Sequence, residues 1–218
     1  MTIAPPAAAP GTGTEPLDVA ALVKAATADD HRNAETRGFI TRLMGGELSL
    51  TDYTRYLAQY AWVYEALEAR TGREGDPEVF DPKLARFAAI ESDLAALGAS
   101  DWRESHAPLP ATAAYVAHLH ALLDDDVRYL AHHYTRYLGD LSGGQAIAAL
   151  VARHYGATPD QLSFYRFDLG EDGPVRYKRR YRDAMNALAL DLTQVDALID
   201  EARASFRLNG AIFEALGA

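Results

Sequence analysis

From Pro16 onward apolar residues recur at intervals of three and four, and no stretch alternates apolar with polar as a half-buried strand would. This pattern predicts an all-α chain. A first helix is expected from Leu17 to Thr36, and a short one follows as far as Gly45 and Gly46. Ser49, with Asp52 three positions on, offers a weak capping box for a long helix ending near Gly72. Asp81 and Pro82 supply a cap and a proline at the first helical position, and Gly98 closes that helix. Pro110 opens another. The acidic trio Asp124, Asp125 and Asp126 then favours a fresh N-terminus through the helix dipole, for a helix reaching Gly156. Two further helices, Val175 to Leu190 and Gln194 to Leu216, complete the expected set. Residues 1–16, MTIAPPAAAPGTGTEP, lack a basic start and are broken by Pro and Gly. They read as a disordered tail and not as a signal peptide, leaving one domain from residue 17 to 218.

One helix breaks its own rule. Val127, Leu130, Tyr134, Leu138 and Leu141 recur at helical spacing, yet Gly139, Gly143 and Gly144 lie among them. Each glycine costs about 0.8–1 kcal/mol relative to Ala in a helix interior, so the run gives up roughly 2–3 kcal/mol. Gly139 and Gly143 fall one turn apart, about 6 Å, on one face, with Gly144 beside them. The result is a flat strip without side chains, on which a planar ligand can rest. The alternative is close packing of another helix on the G-x-x-x-G spacing. The letters LSGGQ also occur in ABC transporters, but of the three lysines, Lys24, Lys83 and Lys178, none follows a glycine, so there is no P-loop to hold ATP.

Composition narrows the chemistry further. The 218 residues include no cysteine, which excludes thiolate metal sites and leaves metal chemistry to His, Asp and Glu. His118 and His120 diverge around a helix, as do the adjacent His132 and His133, so none forms a metal pair on a single helix. A net charge of −10 argues against a nucleic-acid partner. No run of eighteen apolar residues occurs, so no membrane span is expected and the protein is read as soluble and cytoplasmic.

The segment YTRYLGDLSGGQ, Tyr134 to Gln145, resembles the distal-helix signature of the haem (heme) oxygenases, and KAATADDHRNAE, Lys24 to Glu35, is similar to their proximal segment. FYRF at Phe164–Phe167, YKRRYRDAMNALAL from Tyr177 and SFRLNGAIFEALG near the end continue the match in order. The resemblance covers nearly the whole chain after the tail. It implies a single all-α domain holding haem between two helices. The implied reaction uses O2 and electrons from a ferredoxin or an NAD(P)H-dependent reductase to cleave haem at the α-meso carbon to biliverdin, carbon monoxide and ferrous iron. A soluble bacterial enzyme of this type frees iron from captured haem.

The same resemblance assigns roles. His31 becomes the axial iron ligand, and Glu35, one turn later, a carboxylate able to accept the imidazole's other N–H. Gly139 and Gly143 become a crowded backbone wall that offers no side-chain acid over the iron. Asp140 anchors a water chain that delivers protons, with Arg136 one turn earlier as its partner. Lys24 lies seven residues before His31, on the same helix face about 10 Å away, within reach of a haem propionate. Lys178 and Arg182, at i,i+4, form a propionate clamp joined by the Tyr134 hydroxyl. Gly144, Phe206 and Asn209 match positions near the pocket wall. In RYKRRYR the remaining cations Arg176, Arg179 and Arg180 are left to steer an acidic electron donor.

Overall fold

The computed structural model describes residues 17–35 and 38–218, with the side chain of Glu35 excepted. The expectation of a disordered tail falls outside the described residues, as does the end of the first predicted helix at Thr36. Among the described residues the chain is helical and carries no strand, as the periodicity predicts. The helices are α1 (Val19–Ala26), α2 (Ala28–Glu35), α3 (Gly38–Gly45), α4 (Leu50–Glu68), α5 (Phe87–Ala96), α6 (Trp102–Ser105), α7 (Pro110–Ala121), α8 (Asp126–Tyr155), α9 (Pro174–Asn186) and α10 (Leu192–Gly217).

Helix ends set by neighbouring residues fall where the sequence puts them. Ser49 and Asp52 form a complete, reciprocal capping box on α4. Asp125 accepts from the Arg128 N–H at the start of α8, and Gly156, with φ +70°, ends it in the left-handed region. Three expectations need correction. The first predicted helix is two, because Thr27 turns between α1 and α2, its Oγ1 donating to the Val23 carbonyl. Asp81 and Pro82 start only a short 3-10 turn over Pro82–Leu84. The α-helix proper begins at Phe87, where the Glu68 carboxylate accepts from the Arg86 and Phe87 N–H groups. The helix expected to reach Leu190 stops at Asn186, and Ala189 adopts φ +51°, which a right-handed helix cannot continue.

α10 forms the spine, packing along α8 and α7 and touching α1, α2 and α3, while α4 lies against α5, α7 and α8. An aromatic seam fills the interior: Tyr56 and Tyr60 of α4 lie 4.3 Å apart between ring centroids, and Phe213, Phe164 and Tyr64 pack around them. Burying such rings removes large apolar areas from water, each contributing about 1.5–3 kcal/mol. The seam ties α4 to α10, and the edge-on contact of Tyr64 with Tyr137 carries it on to α8, beside the polar groups described next.

Candidate active site

A cavity of about 560 Å³ opens between α2 and the middle of α8, with His31 and Ala34 on one wall and Gly139, Asp140 and Gly143 on the other. A second cavity of about 310 Å³ shares His31, Thr135, Gly139, Ser142 and Phe206 with the first. The two form one slot between the helices, in the size range that encloses an organic ligand.

The α8 wall is bare for a reason that the protein itself does not supply. Among the described residues, a Cβ built on Gly139 or Gly143 meets nothing within 4 Å outside its own helix backbone and chain neighbours. No described helix packs on those positions, so the G-x-x-x-G packing alternative fails for this pair. Gly144 differs: its Cβ would come 3.1 Å from Tyr165 Cδ1, so this glycine admits the Tyr165 ring although it also lines the slot. The two open glycines leave a bare strip of backbone facing the slot.

The opposite wall carries the imidazole. His31 sits in the first turn of α2, its N–H donating to the Thr27 carbonyl, and its exposed ring lies edge-on to Phe206 with centroids 5.9 Å apart. Lys24, one helix earlier, lines the second lobe with His31, so the seven-residue spacing brings both to the slot despite the turn at Thr27. Tyr134 and Arg182 line the same lobe. Lys178 reaches its edge by donating from Nζ to Ser142 Oγ at 3.1 Å. Burial, helped by the Arg182 charge, lowers the Lys178 ammonium below its ordinary value. Two crowded cations at one rim favour an anion there. The Glu35 side chain lies outside the described residues.

Beside the bare glycines the polar groups form a continuous network. The Tyr64 hydroxyl donates to Asp140 Oδ2 and accepts from Arg136 Nη2 at 3.1 Å. Arg136 Nη1 donates to Asn209 Oδ1 at 2.8 Å, which also accepts from the Tyr60 hydroxyl at 2.8 Å. The direct Arg136–Asp140 contact is longer, 3.7 Å, so Tyr64 stands between the two residues that spacing alone pairs. Burial raises the Asp140 carboxyl above its ordinary value, opposed by the charge of Arg136 and the bond from Tyr64. An aspartate so placed holds or passes a proton more readily than a solvated one. Tyr60 and Tyr64 are functional candidates that the sequence reading omits. Their signal is the four-residue recurrence of Tyr56, Tyr60 and Tyr64 on α4.

The basic segment of α9 is less uniformly cationic than its letters suggest. Arg180 pairs with Asp172 at 2.6 Å, and Arg176 lies 3.9 Å from the same carboxylate, while Arg179 is exposed. No helix among the described residues is long and apolar enough to cross a membrane.

The family model described as Heme oxygenase matches residues 17–215. The chain is 38% identical over 208 residues to heme oxygenase 1 of Gallus gallus, covering 91% of this chain and 70% of that protein. It is 30% identical over 206 residues to heme oxygenase 1 of Nostoc sp., covering 91% and 86%. The fold superposes on heme oxygenase-1 of Synechocystis sp. in complex with heme with a TM-score of 0.85, at 29% identity over 92% of each chain. The heme oxygenase of Leptospira interrogans matches with a TM-score of 0.83 and 31% identity, over 91% of this chain and all of that one (100%).

Proposed function

The chain belongs to the heme oxygenase family, and on that premise we propose that it cleaves haem at the α-meso carbon to biliverdin, carbon monoxide and ferrous iron within the slot between α2 and α8. Bound haem supplies both the iron that activates O2 and the porphyrin ring that is broken. His31, presented by α2, would hold the haem iron through its imidazole. Gly139 and Gly143 would leave room for the macrocycle against the α8 backbone and would present no acid side chain there to promote O–O cleavage. Asp140, held by Tyr64 and backed by Arg136, anchors the water that carries protons to the reacting oxygen. Lys24, Tyr134, Lys178 and Arg182 receive the propionates and set the rotation of the ring. Electrons come from a ferredoxin or an NAD(P)H-dependent reductase, docking over Arg176, Arg179 and Arg180. The outcome for the cell is release of iron from haem.

The observation that carries this reading is a half-buried, network-held Asp140 directly beside two glycines whose Cβ positions are open. A carrier of intact haem needs the cradle but has no use for a proton-handling aspartate beside it. Aerobic incubation of the haem complex with ascorbate separates the two. Conversion of the Soret band to the biliverdin spectrum, lost in His31→Ala and recovered with added imidazole, supports the enzyme; a Soret band unchanged under reductant and O2 supports the carrier.

A further inference from the structure

Away from the slot, three side chains from three helices meet at one point. His118 of α7, His132 of α8 and Glu201 of α10 each offer one ligand atom, and these atoms lie within 4.8 Å of one another. Both imidazoles turn the same nitrogen to the same oxygen: His118 Nε2 is 2.5 Å and His132 Nε2 2.9 Å from Glu201 Oε1. We propose that this junction binds one divalent transition-metal ion of the zinc class, with His118 Nε2, His132 Nε2 and Glu201 Oε1 as ligands and water completing the shell.

The donor set selects the ion. Two imidazoles and one carboxylate, with a position left for water, is the combination that holds zinc at open sites and ferrous iron in facial triads. Magnesium and calcium prefer oxygen throughout and are disfavoured by the two nitrogens. The groups behind the ligands are also those a metal site uses. His132 is fully buried, and its Nδ1 lies 3.0 Å from the Tyr115 hydroxyl, which in turn lies 3.0 Å from Ser205 Oγ. When Nδ1–H donates to Tyr115, the ring is fixed in plane and the Nε2 lone pair faces the junction. The second oxygen of Glu201 faces Arg128 Nε at 3.7 Å, which holds the carboxylate from its far side.

An entering ion displaces the protons that the two Nε2 atoms share with Glu201 Oε1, so binding releases protons and weakens on acidification. His118, with 35% of its side chain exposed, gives an incoming hydrated ion its path. Bonds of about 2.0–2.1 Å require ligand atoms roughly 3.3 Å apart in a tetrahedron. The junction must therefore open by about 1 Å or less, a movement the half-exposed His118 can make. An ion here ties α7 to the two helices that carry Gly139, Asp140, Phe206 and Asn209, and so stiffens the frame of the slot from behind. The proposal is independent of the haem reading, because it uses none of the residues assigned to haem.

The test is titration of the full-length protein with Zn2+ by calorimetry, with and without haem, and with Co2+ by visible absorption in the haem-free protein. One equivalent should bind in every case, Co2+ should develop the d–d bands of a four- or five-coordinate site, and His118→Ala should weaken binding by about 100-fold. The His31→Ala protein should retain the full stoichiometry. His118→Ala is the deciding variant, since a half-exposed side chain can be removed without loss of the fold, and circular dichroism verifies this. Absence of a stoichiometric ion, unchanged affinity in His118→Ala, or loss of the site in His31→Ala would each overturn the proposal.

Discussion

The Tyr64 hydroxyl donates to Asp140 Oδ2 while accepting from Arg136, so a tyrosine on α4 connects the two charged residues that lie one turn apart on α8. Through that hydroxyl, and across a longer direct contact of 3.7 Å, the guanidinium charge acts on the carboxylate, and removing the hydroxyl leaves both groups short of a partner. Tyr64→Phe should cost about 1–3 kcal/mol of stability, the penalty of underpaired buried polar groups. It should also slow single-turnover biliverdin formation by about tenfold or more, as loss of an oriented proton-transfer group does. Haem affinity should stay within about twofold. A Phe variant that turns over at the wild-type rate would separate Tyr64 from proton delivery.

The glycines divide into two kinds, and the division predicts opposite effects of the same substitution. A Cβ on Gly139 or Gly143 meets only open space, so Gly139→Ala and Gly143→Ala should each raise unfolding stability by about 0.4–1 kcal/mol through the helix and the unfolded chain. The same methyl groups stand in the haem cradle, so haem affinity or turnover should fall. Gly144→Ala instead meets Tyr165 at 3.1 Å and should lower stability by about 1 kcal/mol or more. Denaturant melts of the three haem-free variants, set beside haem titrations, check the sign of each effect. Destabilisation of all three alike would mean that the glycines serve packing.

His133 supplies a pH dependence of stability that is separate from the reaction. Its ring is buried against Tyr137 and Tyr181, Nδ1 lies 2.7 Å from the Tyr181 hydroxyl, and burial pushes the imidazole down to about 3 from an ordinary 6.5. Between these values the unfolded chain binds a proton that the folded one refuses, so stability rises with pH across this window. The contribution is fully present above about pH 6.5 and is lost progressively on acidification towards 3, up to about 4–5 kcal/mol. His133→Gln should flatten the curve of denaturation midpoint against pH between 6.5 and 4. An unchanged slope would place the acid sensitivity elsewhere.

The readable and the unreadable parts of the chain differ in one respect, the distance along the sequence over which an interaction acts. Ser49 caps its own helix and is legible, as is Gly156; Glu68 caps α5 from 18 residues away, and the predicted start at Asp81 misses it. In the site, Gly139 with Gly143 is legible because helical spacing places the pair on one face, whereas Lys24 and His31 reach one lobe from two helices that the single predicted helix does not distinguish. Tyr64 is not, because its role depends on the packing of α4 against α8, 76 residues apart at Asp140. His118, His132 and Glu201 follow the same rule. No spacing on one helix pairs the histidines, and the carboxylate that joins them lies 83 and 69 residues further along.

The cations at the slot's edge predict a change in product and not only in rate. Lys24, Tyr134 and Arg182 line one lobe, and Lys178 reaches it through Ser142, so in the proposed complex all four charges or donors bear on one side of the ring. Replacing Lys178 and Arg182 together by Gln should loosen haem binding by about tenfold and release the rotation of the ring about the iron–imidazole axis. Chromatography of the biliverdin should then resolve a mixture of isomers in place of one. A single unchanged isomer would show that other contacts set the orientation.

The central claim is that Asp140 beside the open glycines makes the slot an oxygenase and not a haem store. Its most direct test compares wild type and Asp140→Ala in one experiment: haem titration by the Soret band, then quantification of biliverdin and carbon monoxide after addition of ascorbate in air. Both proteins should bind haem with affinities within about threefold, because the proposed iron ligand His31 and the proposed propionate cations are untouched. Only the wild type should give biliverdin in high yield, with Asp140→Ala reduced by about 100-fold or more. Equal yields of biliverdin from the two proteins would contradict the account.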